Sequence, residues 1–185
     1  MNAKSAEGVS LRHVIVVGGS LADWAATAAD QWPVKLAEWG KVADHVGARW
    51  LTVRPFAAGD AAGDAAASPL PADGWQATVG SCLVTASPDA DGRARFTRVV
   101  AGLQADGIAI SEASISAALN APADADPDLV VVIGADHRMP PSLVWELAYS
   151  ELVYVDTTWQ HFGAGHLDDA IGSYAHRHRR FGGID

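Results

Sequence analysis

Residues Asp128–Gly183 read DLVVVIGADHRMPPSLVWELAYSELVYVDTTWQHFGAGHLDDAIGSYAHRHRRFGG. The run Leu129–Ile133 is apolar and β-branched without alternation, the pattern of a central parallel strand covered on both faces. It enters a turn at Gly134. The spacing then predicts a short helix over Ser142–Ser150, a second strand over Leu152–Val155, and a last helix over His166–Arg179 with Leu167, Ala170, Ile171 and Tyr174 on one face. Strand, turn, helix, strand, helix is the order of an α/β fold, a central mostly parallel sheet flanked by helices.

Upstream the same grammar repeats. Arg12–Val17 is a buried first strand ending at Gly18-Gly19-Ser20. From Trp32 to Val46, Leu36, Trp39, Val42, Ala43 and Val46 recur at helical spacing, so the tryptophans read as core. Gly47 ends that helix and Arg49–Val53 gives the next strand. The Ala-, Gly-, Asp- and Pro-rich stretch Ala57–Gly74 buries little and is expected to be a flexible surface loop. Ala77–Thr85 is predicted as one strand, Phe96–Gln104 as a helix ending near Gly107, and Ser111–Asn120 as a short helix capped by Ser111 or Ser114.

Composition bounds the function. A chain of 185 residues suits one domain, 1–185, with about two thirds of its unfolded surface buried. With 22 acidic against 13 basic side chains the formal charge is -9, which repels phosphate backbones and speaks against nucleic acid. The single Cys82 can form no internal disulfide, which fits a reducing compartment. His176 and His178, two apart on a helix, face different ways and make a poor metal pair. No segment reaches signal-peptide or membrane-span length, so the expected location is cytoplasmic, peripheral to a membrane only through a partner.

The last third resembles the cis-prenyltransferases, the undecaprenyl diphosphate synthase family. The likeness rests on Asp128-Leu129-Val130, Arg138, Leu143–Leu152, Asp156, Trp159, Phe162 and Arg179–Gly183. A weaker echo lies in His13–Ala25 and Gly47–Phe56, and the chain looks shorter than a full-length member. The resemblance implies a magnesium-dependent condensation of isopentenyl diphosphate with an allylic diphosphate.

It also sorts the residues by role. The family's Asp-Gly-Asn-Gly-Arg turn, whose aspartate holds magnesium and whose arginine grips diphosphate, reads Gly19-Ser20-Leu21-Ala22-Asp23. A negative Asp23 repels a diphosphate. Gly18 and Gly19 read first as turn residues, with a backbone anion nest as the alternative. The family's Ser, Glu, Asn and Trp at the next strand end become Ala58, Gly59, Asp60 and Ala61. A helical segment that walls the family's product tunnel is also missing. One diphosphate arginine becomes Val132 and a serine becomes Pro140, while Arg138 is kept.

What the resemblance keeps is the equipment for a partner. The apolar Ser142–Ser150 helix, with Leu143, Trp145, Leu147 and Tyr149, lies at the family's dimer interface. Glu151 matches a carboxylate used near the metal across that interface, although a solvated helix end explains it equally. Arg180, Gly182 and Gly183 match the arginine and glycines that reach into the neighbour's site, although positive charge at a helix end also suits the helix dipole. The expected function is a non-catalytic subunit that docks a full-length catalytic homologue, shares its isopentenyl diphosphate, and leaves Mg2+ mainly to that partner. The alternatives are a divergent active enzyme using Asp136 or Asp23 for the metal, and a homodimeric regulator without prenyl chemistry.

Overall fold

The computed structural model describes residues 11–57, 70 and 74–181, the last four of these by their backbone alone. In chain order the elements are β1 (His13–Val17), α1 (Leu21–Ala26), α2 (Gln31–His45), β2 (Trp50–Arg54), β3 (Trp75–Val79), β4 (Cys82–Ala86), α3 (Gly92–Ala105), α4 (Glu112–Asn120), β5 (Leu129–Ile133), β6 (Glu151–Val155) and α5 (Ala164–Phe181). The six strands form one sheet in the order β3-β4-β2-β1-β5-β6. All neighbours are parallel except the β3–β4 pair. The expected α/β architecture is therefore present. Among the described residues no helix is long and apolar enough to cross a membrane.

Strand alternation gives the sheet two unlike faces. On one, Val14, Val16, Leu51, Val53, Leu129 and Val131 pack with Leu36, Trp39 and Ala43 of α2 and with Leu167, Ala170 and Ile171 of α5. This is the main core. On the other, Ile15, Val17, Val130 and Val132 pack with Leu143, but β2 contributes Thr52 and Arg54, both buried. A separate apolar cluster joins α3 to α4 through Leu103, Ile115 and Leu119, with Phe96 and Trp145 against it.

Three expectations change. Ala77–Thr85 is not one strand but most of a hairpin, with Val79 opposite Cys82 and Gly80-Ser81 as the turn. Gly80 has φ 60, a conformation that glycine adopts without penalty. Asp44 of α2 fixes the turn by accepting from the Ser81 backbone N–H at 2.7 Å and its hydroxyl at 2.8 Å. The Ser142–Ser150 helix is a single 3-10 turn, Glu146–Ala148. Pro140 and Pro141 supply no N–H to a helix start, and the Glu146 carboxylate turns inward, where Oε2 accepts from the Val144 N–H at 3.2 Å. The choice of cap falls to Ser111, whose hydroxyl accepts from the Ser114 N–H at 3.1 Å.

The polar face of the sheet carries a titratable group with no route to water. His13 is buried, with Nδ1 3.0 Å from the Ala125 carbonyl and Nε2 3.0 Å from the Thr52 hydroxyl. A carbonyl only accepts, so Nδ1 carries the proton and the threonine donates to Nε2. Burial pushes the imidazole below its ordinary 6.5, against the Ala125 hydrogen bond and the Asp128 charge. The unfolded chain then binds the extra proton first, so stability falls as pH drops below about 6.5, with a slope of at most about 1.4 kcal/mol per pH unit. Urea unfolding between pH 7.5 and 5.5 is expected to show this slope, and His13→Gln to flatten it; an equal slope in the variant would remove His13 as its source.

Candidate functional site

β1 pairs with β2 on one side and β5 on the other, so the chain reverses its direction of sheet growth at the carboxyl end of β1. Open α/β sheets bind ligands at such a switch point. Here a cavity of about 250 Å³ is lined by Gly19 and Ser20 after β1, Phe56 after β2, and Val132 through Arg138 at the end of β5. A second cavity of about 890 Å³ shares Ser20, Phe56 and Arg138 and extends over Arg93, Pro141 and Leu143.

The turn after β1 is held from below by aromatic rings. Gly19 has φ 69, and a Cβ placed there would lie 2.9 Å from Cγ of Trp159. Trp159 stacks on Trp24 with centroids 5.3 Å apart, and Trp32 and Trp39 each lie 5.6 Å away. The Trp24 indole donates to the Gly18 carbonyl at 2.9 Å. Trp32 and Trp39 of α2 are core, as expected from the helical spacing, and Trp24 and Trp159 join them.

Asp23 does the opposite of binding a ligand. Ser20 and Asp23 form a capping box on α1, in which Asp23 Oδ2 accepts from the Ser20 N–H and hydroxyl, each at 2.8 Å. Its Oδ1 accepts from Gln160 at 2.9 Å. Burial alone would raise this carboxyl, but the bonds from Ser20 and Gln160 hold it below the ordinary range. The Ser20 N–H of the supposed anion nest is occupied by the chain's own carboxylate.

Arg138 stands on the rim, exposed, paired with Asp136 at 2.9 Å and with its guanidinium 5.8 Å from the Phe56 ring centroid. Between them His137 takes a left-handed φ of 49 and lies against Tyr154, ring centroids 4.9 Å apart. Magnesium wants several oxygen ligands in near-octahedral array. At the switch point the carboxylates are Asp23, with both oxygens engaged, and Asp136, neutralised by Arg138. These residues do not fit the metal, and among the described residues no group of three potential metal ligands is found.

The other expected site residues lie elsewhere. Glu151 opens β6 opposite Leu129, at the amino ends of the strands and roughly 13 Å of strand away from the Arg138 end. There it pairs with Arg177 at 3.2 Å. Leu143 is buried in this chain's own core, and Leu147 packs against the same cluster. The Trp145 indole donates to Ser116 at 2.8 Å and its ring stacks on Phe96. The exposed apolar side chains of this segment are Val144, 45% accessible, and Tyr149, 58% accessible, with Met139 nearby in the chain. The Arg180 side chain, Gly182 and Gly183 lie outside the described residues, as does most of the 57–74 loop.

Sequence reasoning missed a buried charge cluster on the second face of the sheet. Arg95 of α3 donates through Nη2 to Glu146 at 2.5 Å and to the Ser142 carbonyl at 2.8 Å. Arg54 ends β2 nearby. The available signal was the alternation Leu51, Thr52, Val53, Arg54, which puts an arginine on a covered face.

Comparison with known proteins agrees with this layout. The family model described as putative undecaprenyl diphosphate synthase matches residues 84–182. The chain is 39% identical over 90 residues to isoprenyl transferase 2 of Bradyrhizobium diazoefficiens, covering 49% of this chain and 36% of that one. It is 49% identical over 57 residues to the isoprenyl transferase of Nitrosomonas europaea, covering 31% and 22%. The matched stretches thus span about a third or less of these relatives. Among solved structures, a probable undecaprenyl diphosphate synthase from Campylobacter jejuni superposes with TM-score 0.61 at 14% identity, covering 95% of this chain and all of that one. Lavandulyl diphosphate synthase from Lavandula x intermedia, in complex with dimethylallyl diphosphate, gives 0.55 at 16% identity over 89% and 95%. These two similarities speak to the fold, a sheet flanked by helices with its cleft at the carboxyl end of β1. With more than half of the sequence inside the family model and the same architecture around it, the chain belongs to the undecaprenyl diphosphate synthase, or cis-prenyltransferase, family.

Proposed function

We propose that this chain is a non-catalytic subunit of a heteromeric cis-prenyltransferase. It docks a catalytic homologue and completes that homologue's active site. The reaction served is condensation of isopentenyl diphosphate with an allylic diphosphate to a polyprenyl diphosphate, with magnesium held mainly by the partner.

The observation that carries this reading is the Gly19–Asp23 turn. The backbone at Gly19 has no room for a side chain, and Asp23 caps α1 with the oxygens that a metal would need. The motif for a neighbour's site, Arg180-Phe181-Gly182, is retained in the sequence. Glu151, remote from Arg138 within this chain, suits a role across an interface better than one at its own cleft. Val144 and Tyr149 offer exposed apolar surface where the resemblance expects a subunit contact.

The test is co-expression with each full-length homologue from the same organism, then co-purification and a radiolabelled isopentenyl diphosphate assay. A stable complex is expected, inert chain alone, with turnover falling roughly 10²-fold or more on Arg180→Ala, the loss typical of one charge-stabilising group. A second reading, a divergent active enzyme, would have to draw on Asp136 of the cavity rim, which Arg138 already engages. Magnesium-dependent turnover by the isolated chain, abolished in Asp136→Asn, would establish it and overturn the first. A homodimer that ignores every homologue and shows no turnover would overturn both in favour of a regulatory protein.

A further inference from the structure

The second face of the sheet, where β2 ends, buries two arginines against one carboxylate. Arg54 and Arg95 are 8% and 7% accessible, and Glu146, at 2%, is the one buried carboxylate among the described residues. Glu146 is committed to Arg95. Nε and Nη1 of both arginines, and the Ser142 hydroxyl, are buried without a hydrogen-bond partner. Asp89, whose charge also reaches Arg54, forms its ion pair with Arg98 toward the surface.

Such an arrangement is costly. Buried donors are nearly always satisfied, and an exception signals strain or a missing water or ion. A buried charge without a counter-charge is worse, because it forfeits hydration and receives no attraction in return. The electrostatics agree: burial, with Arg95 close by, pushes the Arg54 guanidinium down to about 10, against the attraction of Glu146 and Asp89. It remains charged at neutral pH.

We propose that Arg54 and Arg95, with the Ser142 hydroxyl, form a subsite for a phosphate group that enters from the larger cavity. Residues flanking the cluster in the chain line that cavity: Phe56 beyond Arg54, Arg93 before Arg95, Pro141 and Leu143 around Ser142. Two planar guanidinia and a hydroxyl offer more donors than a carboxylate can use, whereas a phosphate presents an acceptor to each. Asp91, which caps α3 by accepting from the Ala94 N–H at 2.9 Å, also lines this cavity, so the helix end there is already met by a carboxylate and the guanidinia must supply the attraction. The subsite lies on this chain alone and does not depend on pairing with a homologue.

The experiment is thermal unfolding of the isolated chain with inorganic phosphate, at ionic strength held constant with chloride. A saturable rise in Tm is expected in the native chain and in Arg138→Ala, as for any ligand that binds only the folded state. Arg54→Met, which removes the unpaired charge but keeps the length, is expected to lose the rise while being at least as stable as the native chain without phosphate. If Arg54→Met does not fold, calorimetric titration of Arg54→Lys decides the matter: affinity several-fold weaker supports the subsite, and unchanged affinity overturns it. No rise beyond chloride, or a rise that survives Arg54→Met, overturns it too. So does a rise lost in Arg138→Ala, which would put the phosphate on the rim that the two cavities share.

Discussion

Glu146→Ala is expected to destabilise the chain by about 3–5 kcal/mol, the range for removing one partner of a buried ion pair. The carboxylate accepts from Arg95 at 2.5 Å and from the Val144 N–H at 3.2 Å. Alanine would leave two buried guanidinia with no buried carboxylate among the described residues. Against a typical total of about 5–15 kcal/mol for a domain, that is a large fraction. Urea unfolding monitored by tryptophan fluorescence reads it as a lower midpoint at unchanged slope. The double variant Arg95→Met/Glu146→Leu is expected to recover most of the loss, because a well-packed apolar pair often equals or exceeds a buried salt bridge. A loss below about 1 kcal/mol for Glu146→Ala would show that water reaches the pair. On the proposed docking role the effect would extend further, since Glu146 pins the 142–150 segment that presents Val144 and Tyr149. Glu146→Ala should therefore also fail to co-purify with a partner under conditions where it is still largely folded.

The same residue shows where sequence reading stops. β1, β5 and β6 were legible because continuous β-branched runs admit few readings, and α2 because Leu36, Trp39 and Ala43 keep the helical period. In Ser142–Ser150 apolar density alone suggests a helix that must be covered on more than one side, by its own core or by another subunit. Two facts decide otherwise: the prolines ahead of it, which were visible, and the inward turn of Glu146, which depends on an arginine about fifty residues earlier. The departure of Gly19–Asp23 from the family's turn is legible residue by residue, and Ser20-x-x-Asp23 is itself a capping-box signature. That the capping carboxylate also takes the Gln160 amide, and so has no oxygen to spare, required the packing of the β6–α5 connection against α1. Arg54 was hidden by its place at the very end of a strand, where an arginine normally reaches solvent.

Gly19→Asp, which writes the family's metal-binding residue back into the turn, is expected to cost about 2–5 kcal/mol and to restore no turnover. A side chain at φ 69 costs about 1–2 kcal/mol in the left-handed region. Its Cβ would meet Trp159 Cγ at 2.9 Å and Cβ at 3.1 Å, an overpacking worth about 1–3 kcal/mol. Trp159 cannot yield cheaply, for it is stacked on Trp24, flanked by Trp32 and Trp39, and donates from its indole to Thr27 at 3.2 Å. Gly19→Ala carries the same backbone and Cβ cost without the charge, so similar losses in the two variants would locate the penalty in geometry. Urea unfolding measures both, and near-UV circular dichroism reports whether the tryptophan stack is disturbed. A Gly19→Asp chain as stable as the native one would refute the steric argument. Magnesium-dependent turnover in that chain would go further, because it would mean that a single carboxylate separates this protein from catalysis and that the turn is not committed to capping α1. The expected result is the reverse: β1, the tryptophan stack and the Ser20–Asp23 box close around a glycine, so that a carboxylate written in at position 19 meets packed rings rather than room for a metal.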